Sequence, residues 1–143
     1  MDEVQKVARR SQINTELNPL RHRRDDNISV RNRLIEQLER LESARSELRN
    51  CIGYLPTIER NMKNCHQNTP DNQFKGKRRE RLVECMMNTG GNIGMEMQRH
   101  QQNLERLETH INSLRNRRDE MIRTINGQNN RITTLEAELR TLR

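Results

Sequence analysis

From Val83 to Leu142 the chain keeps a single heptad register. Alternate steps of three and four give Val83, Met86, Gly90, Ile93, Met97, His100, Leu104, Leu107, Ile111, Leu114, Arg118, Met121, Ile125, Gln128, Ile132, Leu135, Leu139 and Leu142. Only Gly90, His100, Arg118 and Gln128 interrupt the apolar line. A stripe this narrow suits a helix lying along another helix and is too narrow for a globular core. A second seam runs Leu34, Leu38, Leu41, Leu48, Ile52 and Leu55, with Arg45 at its polar step, and reaches towards Met62. The pattern predicts an all-α chain.

Between the two seams lies the strongest loop signal, residues 64–75, rich in Asn and holding Thr69-Pro70-Asp71. It sits near the middle of the 143 residues, so two arms of similar length fold back into an antiparallel hairpin. Such folding places Leu34 beside the Leu107 region and residues 1–27 opposite Met121 to Leu142. The second helix is expected to start at Phe74 to Lys77 and to continue through Asn88–Gly94 despite three glycines. In the first arm, Gly53 and Pro56 predict a kink or short break near Tyr54.

The chain therefore divides into a basic N-terminal segment, 1–27, and a helical hairpin, 28–142. In the first segment Val4, Val7, Ile13, Leu17 and Leu20 suggest a short amphipathic helix with Asp2 near its start. Pro19 and Arg21 to Asn27 read as a linker. The segment either packs on the distal end of helix two or stays loose until a partner arrives.

Composition sharpens the class. There is no Trp, one Tyr (Tyr54) and one Phe (Phe74), and hydrophobic residues make up 30% of the chain against 33% charged. A compact domain draws much of its buried area from aromatics, so this chain depends on length instead. The formal net charge of +7 permits nucleic-acid binding. Yet Glu36, Glu39, Glu42 and Glu47, then Glu105, Glu108 and Glu120, interleave with the cations as on a solvated coiled-coil flank. Arg21-His22-Arg23-Arg24 and Lys75 to Arg81 lack the interleaved aromatics that stack bases.

Candidate chemistry is sparse. The four histidines (His22, His66, His100, His110) have no nucleophile beside them in a recognisable context. Cys51, Cys65 and Cys85 lack the paired spacing of a zinc site and form an odd set for a disulfide framework. The expectation is no enzyme, no cofactor and no metal. No apolar run approaches the ~20 residues of a membrane span, and no charged head precedes an apolar leader. This predicts a cytosolic product that, if exported, leaves without a cleaved signal.

Phe74-Lys75-Gly76-Lys77-Arg78-Arg79-Glu80-Arg81-Leu82 sets an aromatic-x-Gly at the hairpin turn, before a charged helix start. This resembles the WXG-type helical hairpins of type VII secretion systems, in particular the longer coiled-coil members that accompany LXG-type toxins. Phe74 stands where that family has tryptophan. The resemblance covers residues 30–142. It implies a turn shaped by Phe74 and Gly76, and a non-enzymatic partner that binds the helical N-terminal domain of a secreted toxin. The family's C-terminal export signal, an aromatic followed by an acid, has no counterpart after residue 74, which points to a packing partner rather than the export tag. The residues expected to hold hairpin and partner together are Leu34, Leu38, Leu41, Leu48, Leu104, Leu107, Ile111, Leu114 and Met121. The competing readings are a self-assembling structural coiled coil and a basic coiled coil associated with nucleic acid.

Overall fold

A computed structural model describes residues 2–68 and 76–143, with the backbone alone given for 65–68. Two helices make up the fold, α1 (Glu3–Asn68) and α2 (Lys77–Thr141), packed against each other with no strand among the described residues. Asp2 opens α1 with a reciprocal cap: its Oδ1 accepts from the Gln5 amide at 2.7 Å, and its own amide donates to Gln5 Oε1 at 3.1 Å. That exchange satisfies two donors that a helix start otherwise leaves free.

The packing resolves into two units, residues 1–39 with 112–143, and residues 40–111. In the first, Ile13, Leu17, Ile132, Leu135 and Leu142 form a buried cluster, with Leu20 and Leu139 packed on it. The N-terminal residues thus fold onto the end of α2 and belong to the hairpin. Residues 21–27, read from sequence as a linker, are helical, and α1 passes residue 27 without a break. The reason is that the seam of α1 extends upstream of Leu34 through Arg31, Asn27, Arg24, Leu20, Leu17, Ile13 and Arg10, all buried or half-buried. Val4 and Val7, expected on the apolar face, fall off this line and are exposed.

Polar seam positions here have partners. Asn27 Nδ2 donates to Gln128 Oε1 at 3.2 Å, and Arg24 Nη1 to Asn129 Oδ1 at 3.5 Å. Polar groups at seam positions favour one pairing register, since slipping by a turn sets Asn27 against Ile125 or Ile132 and breaks its bond to Gln128. Charged flanks bracket the same unit: Arg21 pairs with Glu136 at 2.6 Å and Arg131 with Glu16 at 2.7 Å. Arg10 Nε and Nη2 both donate to the Leu142 carbonyl, the former at 2.8 Å. This places a cation on the carbonyl end of α2, where the helix dipole favours it.

Arg9 grips Glu138 with two nitrogens, Nε to Oε1 at 2.6 Å and Nη2 to Oε2 at 2.9 Å. The hydrogen bond from Arg9 holds the Glu138 carboxyl below its ordinary range, and the carboxylate in turn raises Arg9. A carboxyl depressed in the folded state contributes stability above its unfolded value, and that contribution is lost as pH falls through the folded one. Glu138→Gln is therefore expected to lower the denaturation midpoint at pH 7 but to match the parent chain in acid, below the folded Glu138 value. Urea titrations at both pH values check this; a midpoint difference that persists unchanged in acid refutes it.

In the second unit Arg49 Nη2 meets Glu108 Oε1 at 2.6 Å, so Arg49, rather than Leu34, lies beside the Leu107 region. Helix α1 runs on to Asn68 before the reversal, and side chains on both antiparallel helices lean back towards their own N-termini. Both effects shift the pairing later in the chain. The helix also continues through Gly53, Tyr54 and Pro56, so of the kink or short break expected there the break does not form, and α2 continues through Gly90, Gly91 and Gly94.

Candidate interaction surface

Every seam position predicted in α2 is buried or half-buried, from Val83 to Leu142. Among the nine residues singled out for hairpin and partner packing, Leu34, Leu38, Leu104, Ile111 and Leu114 are buried. Leu41, Leu48, Leu107 and Met121 are half-buried. The depth of burial changes along the chain. From residue 40 to 103 no described side chain is buried, although the seam register is unbroken.

Of the turn motif, Phe74 lies outside the described residues. Gly76 is exposed and has φ of +71°, a conformation that costs an L side chain about 1–2 kcal/mol. Its carbonyl accepts from the Glu80 amide at 3.2 Å, closing the first turn of α2. Glycine is required there for its backbone alone, since a Cβ would meet open space.

Near that turn, α1 and α2 enclose a groove of about 220 Å³ lined by Glu59, Met62, Lys63, Val83, Met86, Met87 and Gly90. Most of this lining is methionine and valine, with one carboxylate and one ammonium from α1. Gly90 occupies a seam position, and nothing lies within 4 Å of where its Cβ would stand. A shallower hollow shares Val83 and Met87 and is lined further by Arg79, Glu80, Glu84 and Asn88. Large apolar side chains stand exposed nearby along both helices: Tyr54 and Ile58 on α1, Met87 and Met95 on α2.

Ion pairs run both between the helices and along them, and Arg49–Glu108 is a cross-helix pair of the second unit. Around residues 9–21 and 131–138, ion pairs cross from helix to helix. Towards the turn, Lys63–Glu59 at 3.4 Å and Arg99–Glu96 at 2.9 Å run along a single helix. Ile58 and Met87 take flank positions beside the seam. Exposed apolar side chains beside a seam widen the stripe beyond what one partner helix covers.

Sequence reasoning identified Val83, Met86 and Gly90 as seam residues and missed the groove they form with Met62 and Met87. The signal was present as methionines at neighbouring seam and flank positions on both sides of the loop. Two seam nitrogens, Arg45 Nε and His100 Nδ1, are buried without a hydrogen-bond partner. Cys51 and Cys85 are free and exposed. The described residues contain no group of three His, Cys, Asp or Glu able to hold a metal, and no helix long and apolar enough to cross a membrane.

Comparison with protein-family models, curated proteins and solved structures finds no match to this chain.

Proposed function

We propose that this chain is a non-enzymatic helical interaction protein that pairs with a larger helical partner, the helical N-terminal domain of a toxin secreted by a type VII system. The observation that supports pairing is the contrast along the hairpin. The seam between residues 40 and 103 is only half covered, and Tyr54, Ile58, Met87 and Met95 stand exposed beside it. Apolar side chains gathered in this way mark a surface that another protein covers. The choice of partner rests on the resemblance of the Phe74-Lys75-Gly76 turn and the long hairpin to the WXG-type proteins that accompany LXG toxins.

The test is the mass in solution, by light scattering, of the full chain alone and after co-expression with the products of neighbouring genes. The expected result is a defined hetero-complex with a neighbour that carries a helical N-terminal domain. A stable homo-oligomer that ignores such neighbours would replace this reading with a self-assembling coiled coil.

A further inference from the structure

The half of the hairpin nearest the turn carries several features that weaken it as a folded unit. From Cys51 to Asn64 on α1 and from Lys77 to Asn103 on α2, no side chain is buried. Closer packing begins beyond them, where Leu104 and Ile111 are buried and Arg49 Nη2 meets Glu108 Oε1 at 2.6 Å. Four of the chain's six glycines, Gly53, Gly90, Gly91 and Gly94, lie in these two stretches, and so does Pro56. Each disfavours a helix interior, glycine through backbone entropy and proline through a missing amide and a crowded turn. His100 adds a ring nitrogen, Nδ1, that is buried without a hydrogen-bond partner, a cost that separating the helices relieves.

The two stretches share these costs. A helix within a protein draws most of its stability from the packing of one face, so neither stretch, with its glycines or proline, stays helical without a neighbour. The seam positions Ile52 and Leu55 on α1, and Val83, Met86, Ile93 and Met97 on α2, are all half-buried. Withdrawing one arm uncovers the other, and both then lose structure. At the chain ends the balance is reversed: Ile13, Leu17, Ile132 and Leu135 are buried together and hold α1 on α2.

We infer that residues 51–64 and 77–103 form one unit that opens from the closed hairpin. The two helices separate and lose their backbone hydrogen bonds together, while residues 9–24 and 128–142 stay paired. Local opening of this kind is expected where few apolar side chains are buried. It presents the six seam side chains that the closed form half covers. The device belongs to the chain by itself, goes beyond the partner reading above and does not depend on it.

Amide hydrogen exchange of the full chain at neutral pH, resolved by residue with NMR, tests this. Amides of 51–64 and 77–103 are expected to exchange about a hundredfold faster than those of 9–24 and 128–142, with one common dependence on low urea. Gly91→Ala with Gly94→Ala changes two exposed positions where a Cβ meets open space. The pair is expected to slow exchange about tenfold on both arms, residues 51–64 of α1 included. Leu135→Ala is expected to speed exchange at 9–24 and 128–142 and to leave both arms unchanged. Even protection along the whole hairpin overturns the inference. So does protection graded from the turn without a common urea dependence, which is fraying. Slowing confined to α2 in the glycine variant overturns it too, as does acceleration of both arms by Leu135→Ala.

Discussion

Leu135→Ala is expected to destabilise the chain by about 3 kcal/mol, within the 2–5 kcal/mol typical of a leucine deleted from a packed site. Leu135 is fully buried and belongs to the cluster of Ile13, Leu17, Ile132 and Leu142. Removing it loses the transfer energy of three carbons and leaves a void that two helices can close only in part. The neighbouring side chains that define the void sit on different helices, so closing it requires moving one backbone towards the other. Met87→Ala supplies the control. Met87 is 72% exposed, so its removal is expected to change stability by less than about 0.5 kcal/mol. Urea denaturation followed at 222 nm measures both, with the slope of the transition unchanged for Met87→Ala. Equal losses from the two substitutions would show that the chain is held by something other than the seam.

The same contrast explains what was legible in the sequence. The seam of α2 could be read residue by residue because apolar side chains occupy most of its positions. The seam of α1 was legible from Leu34 onwards and hidden before it. Three successive upstream positions, Arg31, Asn27 and Arg24, are polar, and a polar run after Pro19 looks like a linker when one strand is read alone. Gln128 and Asn129 on the other helix accept Asn27 and Arg24. Those polar side chains are matched across the pair, and no pattern within a single helix reveals the match. Stepping back from Leu34 by threes and fours leads nevertheless to Leu20, Leu17 and Ile13, so the periodicity was present beneath the polarity. The groove was less legible still. It depends on how Met62 and Met87 meet across the hairpin, and pairing inferred from the loop's position alone put Leu34 where Arg49 lies. At Pro56 local propensity allows a break, and the helix continues there because packing along the seam outweighs it.

That override has a measurable cost, and Pro19→Ala is expected to recover it as a gain of about 2 kcal/mol. Pro19 lies in the interior of α1, with helical residues on both sides. It has no amide to offer the Thr15 carbonyl, and its ring crowds the turn before it, together worth about 3 kcal/mol against alanine in a helix interior. Part of that gain is returned, because alanine frees the unfolded chain by about 0.4–1 kcal/mol relative to proline. The side chain at position 19 is exposed, while its neighbours Leu17 and Leu20 face the other helix, so the substitution leaves the core contacts in place. A rise in the urea midpoint at constant slope is the expected result, read at 222 nm. No gain, or a loss, would mean that α1 bends at Pro19 to bring Leu17 and Leu20 onto Ile132 and Leu135. The proline would then be shaping the seam and not merely tolerated within it. The parallel substitution Pro56→Ala separates the two cases. Its neighbours Leu55 and Ile52 are only half-buried, so a bend there has less core contact to secure, and the gain should appear whichever role Pro19 plays.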